Sequence, residues 1–165
     1  MKRILLGFIA LLGLCSCEKI VDTALSIADP KIWDIGPVVV LFEVNNSNGD
    51  NLFAESTEGN WLNASFSCTF EDETYTYPSP ETKEYIAVLR GLYLNTSSET
   101  PFLEFGELDG TENRNSDLVI TWPDGTQDVI TIKHTFRWKL NGNPDGHTTL
   151  KLNGEKTSHP IQLVK

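Results

Sequence analysis

Side chains capable of chemistry are plentiful in this chain, but few of them stand at spacings that would let them act together. His134, His147 and His159 have no second histidine or cysteine nearby at a metal-ligand spacing. Cys68 lies in Trp61-Leu-Asn-Ala-Ser-Phe-Ser-Cys-Thr-Phe70, where Leu62, Ala64, Phe66, Cys68 and Phe70 share one apolar face of an extended strand. A nucleophilic thiol needs exposure and a partner that favours the thiolate, so Cys68 is expected to be a small buried hydrophobe. The stretch Glu107–Asp117 is rich in oxygen ligands, with Asp109, Glu112, Asn115 and Asp117 as calcium candidates. Its spacing departs from that of an EF-hand and Arg114 interrupts it, so a solvated turn without metal is expected. No Gly-x-Ser-x-Gly elbow or glycine-rich phosphate loop occurs. The reading is therefore non-enzymatic, with no cofactor.

Binding chemistry has two candidate places. Lys133, Arg137 and Lys139 alternate along one strand and form a basic ribbon that Lys151 would widen. Such a face suits an anionic glycan, a lipopolysaccharide phosphate or an acidic partner protein. Equally, Glu84, Glu104 or Asp128 would neutralise it as ordinary cross-strand pairs. Trp61 has the parity of the outward face of a 61–70 strand, and Tyr75 and Tyr77 share a parity that would flank it as a glycan-stacking platform. By contrast, Trp122 and Trp138 have the parity of core residues.

The elements that must position these groups read as β. Val38–Val44 is β-branched on both faces and suits a central strand. Asn45–Asn51 is a turn in which Gly49 supplies positive φ. Further strands are expected at 61–70, 74–77, 84–95, 102–108, 117–122, 128–140, 148–152 and 161–164. Around Trp122-Pro-Asp-Gly-Thr126, parity selects a three-residue loop, Pro123–Gly125. That loop pairs Leu118 with Ile130 and keeps the even apolar residues of both strands on one face. Beyond it, Ile130, Ile132, Phe136, Trp138 and Leu140 point one way, interrupted by His134. The pattern predicts an all-β chain: a single antiparallel β-sandwich, immunoglobulin-like, over 37–165.

Charge and the N-terminus bound the class. The chain is formally −10, which argues against nucleic acid as a partner. Lys2 and Arg3 precede an uncharged stretch, Ile4–Leu14, too short to span a bilayer and typical of a cleaved signal. Residues 18–29 are mildly helical in pattern and stop at Pro30, so 17–36 reads as a tether with a short helix.

Leu14-Cys15-Ser16-Cys17 resembles the lipobox of bacterial lipoproteins: an aliphatic residue, two small ones, then cysteine. The resemblance implies that 1–16 is a signal peptide cleaved before Cys17, whose sulfur is diacylated and whose new amino group is acylated. Removing 16 of the 165 residues leaves 149, and losing Lys2 and Arg3 takes the charge from −10 to −12. So acidic a chain has no polybasic grip on anionic lipid, and the acyl chains must hold it. With Cys15 removed and Cys17 acylated, Cys68 has no disulfide partner, and packing alone must stabilise the domain.

The lipobox, the acidic mature chain and the repeated β grammar resemble small envelope lipoproteins of Bacteroidota-type bacteria. Asn46-Ser-Asn-Gly-Asp-Asn-Leu-Phe53 and Ile120-Thr-Trp-Pro-Asp-Gly-Thr126 are similar to strand-turn segments of their secreted sandwiches. Asp22-Thr23-Ala24 is similar to the O-glycosylation signal of that group, with Thr23 the acceptor. The resemblance implies a lipid-anchored protein of the outer membrane, with the bilayer and a glycan or an outer-membrane protein as partners.

Overall fold

A computed structural model of the chain describes residues 32–78 and 90–165. The expected signal peptide, Cys17, Thr23, most of the tether, and Glu84 lie outside the described residues. Contacts divide the chain into Met1–Asp34 and Ile35–Lys165, and the fold below is that of the second unit.

The described residues contain no helix and form two sheets. One has four strands in the order β10-β1-β5-β4: β10 (Ile161–Val164), β1 (Val38–Asn45), β5 (Phe102–Leu108) and β4 (Gly91–Asn95). The other has six in the order β3-β2-β6-β7-β8-β9: β3 (Glu73–Tyr77), β2 (Phe66–Phe70), β6 (Arg114–Thr121), β7 (Gln127–Trp138), β8 (Pro144–Leu152) and β9 (Glu155–Lys156). The all-β sandwich is thus as the sequence predicts. One pairing differs, because β10 runs parallel to β1, with Phe42 opposite Ile161 and Val44 opposite Leu163. The chain crosses from β9 in one sheet to an edge of the other, and it arrives there running in the direction of β1.

Alternation builds the core. Val38, Val40, Phe42 and Val44 of β1 are buried, as are Phe66, Cys68 and Phe70 of β2, and Ile130 and Ile132 of β7. The sheets meet through aromatic rings: Phe42 against Trp122 at 6.3 Å and Phe70 against Phe105 at 5.2 Å, both edge-on. Such pairs add about 0.5–1.5 kcal/mol beyond the area they bury. Leu52 and Phe53, in the irregular stretch after β1, close the core beside Phe66, with the two phenyl rings 6.3 Å apart.

The turn at 122–126 has the three-residue loop that parity selects. Leu118 pairs with Ile130, the Trp122 N–H donates to the Thr126 carbonyl at 2.9 Å, and Gly125 adopts φ 80°. At this end of the sandwich the Asp128 carboxylate is buried. It accepts from Trp122 Nε1 at 2.8 Å, Asn153 Nδ2 at 2.8 Å and Lys165 Nζ at 2.5 Å. A second buried charge, Arg114, is held by Glu71 at 2.9 Å and Glu112 at 2.8 Å, its guanidinium 5.8 Å from the centre of the Phe70 ring.

Candidate functional site

The strand β7 is 12 residues long, whereas its partner β6 has eight. Their pairing runs out at His134 opposite Arg114, and beyond that point β7 pairs with β8 alone. The inward side of β7 therefore changes character along its length. Ile130 and Ile132 are fully buried and His134 is 5% exposed, but Phe136 is half-buried and Trp138 is 55% exposed. Here the structure corrects the expectation that Phe136, Trp138 and Leu140 continue the core face. No second layer covers that stretch among the described residues, so the alternation persists where the burial does not.

Leu140 is also not a strand residue. The Lys139 N–H donates to the Asn143 carbonyl at 2.9 Å, and the Gly142 N–H to the Lys139 carbonyl at 2.9 Å. Leu140, Asn141 and Gly142 thus form a three-residue loop, with Gly142 at φ 76° where Gly125 stands in the other turn. Leu140 takes the first loop position, held by Pro123 in that turn, and projects fully into solvent. Across the hairpin, Phe136 faces Gly146 and Trp138 faces Pro144. A side-chain carbon at Gly146 would lie in ordinary contact with the His134 and Phe136 rings, at 3.5 and 3.8 Å. The Phe136 and Trp138 rings meet edge-on at 5.4 Å.

The opposite side of the hairpin carries the basic ribbon. Arg137 Nε lies 2.9 Å and Lys139 Nζ 3.3 Å from the two oxygens of Asp145. The hydrogen bonds from Arg137 and then Lys139 hold the Asp145 carboxyl below the usual carboxylate range. Lys133 faces Asn115 and Thr149 across the sheet, and Lys151 faces Thr131 and Lys156. Two of the carboxylates expected to neutralise the ribbon, Asp128 and Glu104, are placed elsewhere. Asp128 is buried against Lys165, and Glu104 belongs to β5 in the other sheet, opposite Leu41 and Tyr93. Thr135, Phe136, Arg137, Asp145 and His147 line an open depression beside the ribbon, and Arg137 to Asn141 line another at the tip.

Trp61, Tyr75 and Tyr77 do not form an outward platform. Strand β2 begins at Phe66 and turns occupy 62–63, so strand parity does not extend back to Trp61. Its ring is half-buried, stacked on Trp122 at 6.0 Å and edge-on to Phe53 at 6.5 Å. Tyr75 pairs across strands with Cys68, and Tyr77 with Phe66, which puts both on the side of the buried residues. The Tyr77 ring stacks on Phe66 at 4.8 Å and its hydroxyl donates to the Leu62 carbonyl. The Tyr75 ring meets Phe105 at 5.7 Å and its hydroxyl donates to Glu73.

The groups considered for chemistry are engaged in the fold. Cys68 is 1% exposed, and burial pushes its thiol up to about 12. His134 Nε2 lies 3.0 Å from the Gly110 carbonyl and Nδ1 lies 2.7 Å from the Thr148 hydroxyl. A carbonyl can only accept, so the neutral tautomer that satisfies both contacts carries its proton on Nε2. His159 Nε2 accepts from the Leu41 N–H, and His147 is a β8 residue beside Thr149. In the acidic stretch, Asp109 accepts from the N–H and hydroxyl of Thr111, and Glu112 binds Arg114. Asn115 and Asp117 stand on the exposed side of β6.

Sequence reasoning thus missed the exposed ledge of Phe136, Trp138 and Leu140. One signal for it was present: a 13-residue alternating run, 128–140, longer than any partner strand predicted to cover it, and closed by Asn141-Gly142. No protein-family model, curated protein or solved structure matches this chain.

Proposed function

We propose that this chain is an acylated lipoprotein of the bacterial cell envelope, anchored to the outer membrane through Cys17, whose sandwich is a non-enzymatic binding or accessory module. The binding part rests on one observation: the β7–β8 hairpin runs past the core and leaves Trp138 and Leu140 in solvent. Exposed aromatic and aliphatic side chains gathered at a projecting tip are poor contributors to folding but suitable contacts for a partner. The non-enzymatic part is supported by the engagement of Cys68, His134 and His159 in burial and hydrogen bonds of the fold. The anchor rests on the residues that lead up to Cys17.

A glycan is a second reading for the tip, carried by the exposed Trp138 ring. That ring lies beside Arg137 and Asn141, which would hydrogen-bond sugar hydroxyls while the indole stacks on a pyranose face. Two experiments test this reading. Cys17→Ala should move the protein from the membrane fraction to the soluble fraction, and continued sedimentation with the envelope would remove the acyl anchor. On a glycan array, wild type should bind and Trp138→Ala should not. Binding by neither, or equally by both, removes the sugar reading.

A further inference from the structure

We infer that the β7–β8 hairpin is a second membrane contact, in which Trp138 and Leu140 enter the bilayer interface while Arg137 and Lys139 meet lipid phosphates. This rests on acylation of Cys17 and assigns the hairpin tip to lipid in place of a sugar. The run Phe136-Arg-Trp-Lys-Leu140 alternates apolar and basic residues, so the hairpin tip carries both parts of an interfacial anchor. Trp138 is 55% exposed and Leu140 fully so, on a chain that buries most of its other large apolar groups. A projecting leucine offers nothing to a sugar hydroxyl but loses hydration favourably in acyl chains. Arg137 and Lys139 share one carboxylate, Asp145, which leaves this tip net cationic on a chain that is otherwise acidic.

Position supports the same occupant. The first residues of the sandwich lie against the base of the hairpin: a side-chain carbon at Gly110 would collide with the Gly36 carbonyl oxygen. The Gly110 carbonyl in turn meets His134 Nε2. From His134 the strand and its loop run on to Leu140, about 20 Å further at ~3.3 Å per residue. The chain therefore enters the domain at the end from which the hairpin projects. The Pro123–Gly125 loop and the β4–β5 connection around Ser97 lie at the opposite end of the sandwich.

The test uses the full acylated protein in vesicles of phosphatidylethanolamine and phosphatidylglycerol. Leu140→Cys and Ser97→Cys variants carry an environment-sensitive fluorophore, and buried Cys68 stays unlabelled. Lipids bearing a nitroxide near the headgroup should quench the label at 140 about threefold or more over the label at 97, as expected of an interfacial contact. Replacing Trp138 by Asp should abolish the difference. Equal quenching at both positions in a protein whose mass shows acylation overturns the hairpin contact and leaves the anchor intact. An unmodified Cys17 in the same preparation overturns both. Quenching at 140 that depends on added envelope glycan or protein, rather than on lipid, overturns the inference in favour of that other occupant.

Discussion

Replacing Asp128 by alanine removes the acceptor for three donors at once. The Trp122 indole N–H is the costliest loss, because Trp122 is 2% exposed. An orphaned buried donor costs about 1–3 kcal/mol. Asn153 is exposed and the Lys165 ammonium sits on a long flexible stem, so both can turn to water and lose about 1 kcal/mol each. The total is about 3–5 kcal/mol, in the range for breaking a buried ion pair. In urea, with a slope of about 2 kcal/mol per molar, the midpoint should fall by about 2 M at unchanged slope. Tryptophan fluorescence follows the transition.

Acid supplies a second readout. Burial pushes the Asp128 carboxyl up, but the hydrogen bonds from Lys165, Asn153 and Trp122 outweigh it and hold the group below its ordinary value. A lowered folded value means that the ionised form is favoured by folding. Its contribution is complete above the unfolded value of about 3.9 and is lost as pH falls through the folded value. The stability gap between wild type and Asp128→Ala should therefore be constant near neutrality and narrow below about pH 4. A midpoint shift under about 0.5 M, or a gap that acid leaves unchanged, would refute the reasoning.

Other substitutions test other parts of the fold. Gly125→Val places a β-branched residue at φ 80° and should cost about 1–2 kcal/mol, read as a lower Tm; an unchanged Tm would show that the turn adapts. Cys68→Ser puts a hydroxyl among apolar groups and should cost about 1–3 kcal/mol. Native Cys68, its thiol raised to about 12, should resist labelling until the protein unfolds, and rapid labelling would contradict its burial. Trp122→Ala should cost about 3–5 kcal/mol in thermal or urea melts. Trp138→Ala, which removes a 55% exposed ring, should cost less than half of that, and equal losses would mean that the hairpin tip is packed.

The strands were legible wherever apolar residues alternate against a partner of similar length. Strands β1, β5 and β10 fall within a residue of their expected bounds, and the Pro123–Gly125 loop follows from parity alone. Alternation reports which side a residue faces, not whether anything lies over that side, which is why Trp138 was assigned to the core. Trp61 failed for the complementary reason. Its parity was counted through a turn, and Leu52 and Phe53, in a stretch without periodicity, supplied the packing that holds it. The carboxylates expected beside the basic ribbon could not be placed, because strand order decides cross-strand partners and the sequence alone does not reveal that order. Asn153-Gly154 carried a two-residue hairpin signal that the expected strand list passed over, and it joins β8 to β9.

Mass spectrometry of the protein extracted from membranes reaches the central claim most directly. The N-terminal peptide should begin at Cys17 and carry fatty acyl chains on its sulfur and amino group. A peptide that begins upstream of Cys17, or an unmodified Cys17, would contradict lipid anchoring and with it the membrane contact assigned to the hairpin.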